Sequence, residues 1–319
     1  MFHKTIKSVA LAGVAALAFT GAAQAADPAS CQSVRFSEGP GWTDITTTTT
    51  SARVVLEGLG YKTDSKILAV PVTYQSMANN NVDVFLGNWM PSMGEIAKPY
   101  FDKGTVVTLD HPNLKGAKYT LAVNKVAADA GLKSFQDIAK FKDQLDGKIY
   151  GIDPGNDGNQ IIQGLIDADT FGLSGFEVVE SSEQGMLAQV KRASKRGEMV
   201  VFLGWEPHPM NANLDMSYLS GGDETGFGPN YGGAEVYTNV RKGYMSECPN
   251  VGKLLDNMEF TLAMENEVMG AIQDDGEEPR DAVTTWLKAH PAILDGWLEG
   301  VTTMDGGDGL AAVKGHLGL

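Results

Sequence analysis

Several residue types are scarce in this 319-residue chain, and each scarcity narrows the choices. There are two cysteines, Cys31 and Cys248, and neither has a second Cys or a His at ligand spacing, which argues against a thiolate metal site. There are five histidines, and His111, His208, His290 and His316 have no nucleophile at motif spacing. The chain contains no G-x-S-x-G elbow and no H-E-x-x-H pair. Its glycine-rich stretch GGDETGFGPNYGG (221–233) lacks the lysine of a phosphate-binding loop. Asp274-Asp275-Gly276-Glu277-Glu278 lacks the alternating ligand spacing of an EF-hand and reads as a solvated loop. The expectation is a protein that is not an enzyme and carries no cofactor or metal. Positive charge is also in deficit, with 25 Lys and Arg against 40 Asp and Glu and a formal charge of −15. That balance repels nucleic acid and anionic membrane surfaces, and it is compatible with a cationic ligand.

Long apolar runs are missing after the first 25 residues, and that first one is too short to span a bilayer. MFHKTIKS supplies a cationic start, VALAGVAALAFTG an apolar centre, and Ala23-Gln24-Ala25 a cleavage site before Ala26. This pattern is a secretory signal peptide. Its removal takes away Lys4 and Lys7, so the formal charge moves from −15 to −17. In an oxidising compartment the two cysteines read as one Cys31–Cys248 disulfide, with two free thiols as the alternative. Closing so long a loop is worth roughly 5 kcal/mol in chain-entropy models.

What is present is an alternation of strand and helix signals. SVRFSEG, KILAVPV and VDVFLG read as strands in the first third, separated by helical segments. The threonine run Thr46–Thr50 is unusual for a helix, yet it bridges two strands at crossover length. The pattern restarts with YTLAVNK, then a helix opened by Ser134, then KIYGIDPG, FEVVES and EMVVFLGW as further strands. PHPMNANLDMSYLSGG reads as an extended connector, AEVYTNVRKG as a strand, and the tail from Pro249 as mostly helical. Unbroken apolar strands of this kind suit a sheet covered by helices on both faces. The expected fold is therefore α/β with two lobes. A discontinuous lobe spans 26–114 and 213–319, and a continuous lobe spans 115–212.

One phrase occurs twice: VFLGNWMP at 84–91 and VFLGWEPHP at 201–209. Parallel α/β sheets bind ligands beyond the carboxyl ends of their strands. Trp42, Trp89 and Trp205 are each placed there, facing one crevice. Trp286 and Trp297 are spaced as helix-face residues and are left structural. Ring faces carry negative quadrupole and attract a cation with no hydrogen-bond donors, such as a quaternary ammonium, at ~1–2 kcal/mol per desolvated contact. An amino-acid ligand would call for an arginine clamp, whereas Arg53, Arg192, Arg196, Arg241 and Arg280 fall on expected helices or outer strands. Asp44, two residues after Trp42, fits a helix N-cap.

The motifs GPGWTD (39–44), FLGNWMP (85–91), KYTLAVNK (118–125), IDPGNDGN (152–159), FLGWEPHP (202–209) and TTWLKAHPAILDGWLEG (284–300) run in order along nearly the whole chain after the leader. They resemble the substrate-binding proteins of ABC importers for quaternary amines, the glycine betaine/choline class. The resemblance implies a type II periplasmic-binding-protein fold, each lobe a mixed, mainly parallel sheet flanked by helices, with the ligand between the lobes. It implies an aromatic box of Trp42, Trp89, Tyr119 and Trp205, with Asp44 and Asn156 meeting the polar end of the ligand. It further implies a monomeric periplasmic carrier that docks on an inner-membrane permease. One departure is Pro209, where many betaine binders have a tryptophan after the histidine. With the negative charge of Asp44, this favours choline over glycine betaine; a glycine betaine/proline betaine or acetylcholine binder of the same class is the alternative.

Overall fold

The computed structural model of the chain describes Met1 and residues 27–319, so the rest of the expected leader and its cleavage site lie outside the described residues. Nine strands join one sheet: β1 Ser33–Glu38, β2 Lys62–Ile67, β3 Val84–Met90, β4 Val106–Asn124, β5 Lys148–Tyr150, β6 Glu177–Val179, β7 Val201–Glu206, β8 Met216–Tyr218 and β9 Gly233–Arg241. Their order is β2-β1-β3-β9-β4-β7-β5-β6, with β8 on β4. The outer pairs are parallel, β1 with β2 and β3, and β5 with β6 and β7. At the centre β9 runs antiparallel to β3 and β4, and β4 antiparallel to β7 and β8. This mixed α/β architecture is the expected class, with its parallel pairs at the two ends.

The centre differs from the sequence expectation. The strand anticipated from Tyr119 is the second half of β4, a 19-residue strand. Its first part pairs with β9 between Val106 and Lys118, and its later part with β7 between Lys118 and Val123. Pro112, which cannot donate to a ladder, and Gly116 at φ +79° look like a break in sequence. The β9 ladder absorbs them through register shifts between Thr108 and Ala117, the bulges that let a strand bend without ending.

The helix Thr43–Gly58 forms despite its threonines because it is buried among other elements: Thr47, Thr48, Thr49, Thr50 and Ser51 are all inaccessible or nearly so. Ser51 and Thr48 return their hydroxyls to the backbone carbonyls of Thr47 and Ile45, which replaces the hydration they lose. KILAVPV, expected as a strand, divides instead. β2 ends at Ile67 and the helix Val70–Ala78 takes up the rest, because Pro71 falls in its first turn, where no N–H is needed. The helix expected after Ser134 is a 3₁₀ helix, Phe135–Phe141, entered through a Ser134/Asp137 capping box. The expected connector after Trp205 contains the short helix Met210–Asn213 and β8. Cys31 and Cys248 are bonded, with Cα atoms 5.7 Å apart. The core covers both faces of the sheet, and Phe36, Val84, Leu86, Leu121, Val201 and Leu203 are fully buried.

Candidate ligand-binding site

Sheet topology brings four segments to one point. Trp42 follows β1 at the N-cap position of the helix Thr43–Gly58, and Asp44 stands in that helix's first turn. Trp89 and Trp205 lie inside the last turns of pleat of β3 and β7, not beyond them as the sequence implied. Both strands then leave through a cis X–Pro bond, Met90–Pro91 and Glu206–Pro207. Tyr119 sits directly opposite Trp205 in the β4–β7 ladder, so their side chains share a face. Asn156 caps the helix Asp157–Asp167, accepting the Asn159 N–H at 3.2 Å.

All six expected residues, Trp42, Asp44, Trp89, Tyr119, Asn156 and Trp205, line one cavity of about 300 Å³ of atom-free space. The cavity is small, which fits a ligand of few heavy atoms. The rings stand at steep angles: Trp89 and Tyr119 have centroids 6.0 Å apart at 59°, and Tyr119 and Trp205 6.4 Å apart at 72°. The rings lining the cavity are therefore far from coplanar. Each of the four aromatic residues is only 5% exposed, so the cage is almost closed to solvent. Gly158 permits this packing, since a Cβ there would collide with the Tyr119 hydroxyl.

Carboxylates hold the rings by their edges. Trp42 Nε1–H donates to Asp153 at 2.5 Å, and Trp89 Nε1–H donates to Asp44 at 3.1 Å. The Tyr119 hydroxyl donates to Asn156 Oδ1 at 2.8 Å, and Asn156 Nδ2 donates to Asp157 at 3.1 Å. Asp44 is thus not the helix cap; it faces the cavity and orients an indole. Burial pushes its carboxyl up to about 7, helped by the nearby charge of Glu183. Burial likewise raises Asp157 to about 6 and raises Asp153 above the usual range. Glu265, buried behind Asp44, is pushed well up by desolvation and then by the Asp44 charge. Among the described residues no lysine or arginine lines the cavity. Arg35 and Arg241 instead clamp Asp83 on the sheet. The site is thus a small acidic cage without a resident cation.

Sequence reasoning missed four participants: Met93, Ile152 and Asp157 in the wall, and Asp153 behind Trp42. Asp153 and Asp157 both lie within the quoted IDPGNDGN stretch, so the segment was visible and the individual acids were not.

Residues 32–289 match the OpuAC family, the substrate-binding domain of ABC-type glycine betaine transport systems. The chain belongs to this family. A solved ABC-transporter choline-binding protein in complex with choline is 62% identical, covers 91% of this chain and all of its own, and superposes with a TM-score of 0.89. Its unliganded, semi-closed form has a TM-score of 0.84. Lactococcal OpuAC, closed around glycine betaine, is 27% identical over 83% of this chain and 98% of its own, with a TM-score of 0.74. A glycine betaine/carnitine transport binding protein, GbuC of Listeria monocytogenes, is 30% identical over 51% of this chain and 53% of its own length. The fold is accordingly that of the periplasmic-binding-protein class, and within the family the chain is a transport substrate-binding domain. Among the described residues no helix is long and apolar enough to cross a membrane.

Proposed function

We propose that this protein captures choline in the periplasm and delivers it to the inner-membrane permease of an ABC importer, acting as a monomeric carrier and not as an enzyme. The observation that carries the reading is the enclosed cage: three indoles and a phenol ring line it, acids stand behind them, and no basic side chain lines it. A quaternary ammonium needs apolar contact for its methyl groups and π faces for its charge, and the cage supplies both. The 62% identity to a protein solved with choline supports the same choice.

Discrimination against glycine betaine follows from charge. A betaine carboxylate would enter beside Asp44 and Asp157, while the indole N–H donors it needs are already engaged by Asp44 and Asp153. A hydroxyl can donate to a carboxylate, so choline and not a zwitterion matches the polar end. Trp42, Asp44, Trp89, Tyr119, Asn156 and Trp205 are the proposed contacts.

Entry requires motion, because the cage walls are nearly inaccessible. The proposed lobes are 26–114 with 213–319, and 115–212. The pairing of β8 with β4 supports carrying the second lobe on toward residue 232, with hinges near Lys118 and in 219–232. The open form offers Trp42, Asp44 and Trp89, and closure adds Tyr119, Asn156 and Trp205. Calorimetric titration with choline and glycine betaine tests the assignment. Tighter binding of choline is expected; tighter binding of glycine betaine would overturn the ligand, and no binding of either would overturn the function.

A further inference from the structure

Beside the cage lies a second buried cluster, which plays no part in the ligand contacts. Glu183, in the first turn of the helix Glu183–Arg196, is completely buried. Its Oε1 receives Thr43 Oγ1–H at 3.2 Å and Gln273 Nε2–H at 2.5 Å, and contacts His208 Nε2 at 3.1 Å. Gln273 Nε2 also donates to Thr43 Oγ1 at 2.7 Å. His208 Nδ1 accepts the Met210 N–H at 2.9 Å, which leaves Nε2 as the protonated nitrogen facing Glu183. The other Glu183 oxygen is buried with no partner. Close by, Gln184 Nε2–H donates to the Gly41 carbonyl at 3.3 Å.

These residues divide between the two halves of the molecule. Thr43 and Gly41 adjoin Trp42, and Gln273 ends the helix Leu262–Gln273, all in the discontinuous lobe. Glu183, Gln184 and His208 belong to the other lobe. His208 also packs edge-on against Trp205, with ring centroids 4.9 Å apart. The cluster thus ties the backs of two cage walls, Trp42 and Trp205, across the lobe boundary. When the lobes part, Glu183 loses both of its cross-lobe donors and gains water in their place.

We propose that Glu183, His208, Gln273 and Thr43 form an interlobe latch that holds the cage shut and sets the rate at which ligand escapes. The proposal rests on the two-lobe reading given above. Its members are positioning residues: none lines the ligand cavity. A latch made only in the closed state slows dissociation and leaves the encounter with the open form unchanged.

The test uses Gln273, which is partly exposed and can be changed without opening the core. Gln273→Ala removes one cross-lobe donor. Gln273→Glu places a second carboxylate against Glu183. Stopped-flow tryptophan fluorescence with choline, or with glycine betaine should choline be silent, reads association and dissociation separately. Losing a hydrogen bond to a buried charged group predicts a dissociation rate about tenfold faster for Gln273→Ala, and faster still for Gln273→Glu. Association within about twofold of native and an unchanged melting temperature of the ligand-free protein are expected in both. A native dissociation rate in Gln273→Glu would overturn the latch while leaving the function standing. Equal losses in association and in ligand-free stability would also overturn it, in favour of a fold-supporting role. A native protein blind to both ligands would overturn the proposed function and the latch with it.

Discussion

Asp44 makes ligand affinity depend on pH in a direction fixed by the structure. Its carboxyl is buried and orients the Trp89 indole, and burial pushes it up to about 7. A cation about 5 Å away, at an effective dielectric near 20, stabilises the carboxylate by about 3 kcal/mol, or roughly two pKa units. The pKa in the complex then lies well below that of the protein without the cation. A group whose pKa falls on binding gives affinity that is complete above the free-state value and lost as pH drops through it. Between pH 8 and pH 5 the dissociation constant for choline should therefore rise roughly fiftyfold. Asp157, pushed by burial up to about 6, adds to the slope with the same sign. Calorimetry in two buffers of different ionisation heat should show most of one proton released per choline bound near pH 6. Asp44→Asn should flatten the upper part of the profile and weaken binding at pH 8. In the ligand-free protein the sign reverses. A carboxyl raised from its ordinary 3.8 to about 7 opposes folding as pH rises through that window. Asp44→Asn should accordingly raise the melting temperature of the ligand-free protein at pH 8 relative to native. A native affinity that stays level from pH 8 to pH 5, with no proton release, would refute the reasoning.

Three further outcomes are expected. Trp205→Leu keeps apolar volume but removes a π face, so choline affinity should drop about thirtyfold by calorimetry while the far-UV spectrum is unchanged. Replacing Cys31 and Cys248 together by serine should cost up to about 5 kcal/mol in urea unfolding and leave the choline affinity of the folded protein alone. Gly232 holds φ +74°, and a Cβ there would strike the Tyr119 carbonyl, so Gly232→Ala should lower stability by about 1–3 kcal/mol and loosen choline binding together.

The fold class was legible because β3 and β7 open on the unbroken apolar run Val-Phe-Leu, which demands burial on both faces, and because strand and helix signals alternate around them. The cage was legible because Trp89 and Trp205 end two near-identical strand phrases, and because the surrounding motifs resemble a known family. Tyr119 was named only through that resemblance; locally it reads as strand packing, and its role depends on the β4–β7 register that sets it opposite Trp205. Asp153 and Asp157 escaped notice for the same reason. Nothing near an aspartate in sequence tells that it will meet an indole 111 residues away, as Asp153 meets Trp42. The continuity of β4 was hidden by Pro112 and Gly116, which locally signal a stop and are overruled by pairing with β9. The buried threonines of the helix Thr43–Gly58 are a further case of tertiary context overriding local preference. The partnership of Glu183 and His208 is a matter of tertiary contact alone.

The central claim is that the cage recognises charge through its ring faces, and one comparison tests it most directly. Native protein would be titrated at pH 8 with choline and with its neutral isostere, in which carbon replaces the ammonium nitrogen. Size, shape and hydroxyl are the same, so the difference isolates the cation. Several desolvated contacts of about 1–2 kcal/mol each predict that choline binds at least a hundredfold more tightly. Equal affinity for the two would mean that the tryptophans act as plain apolar surface, and the account of the site would be wrong.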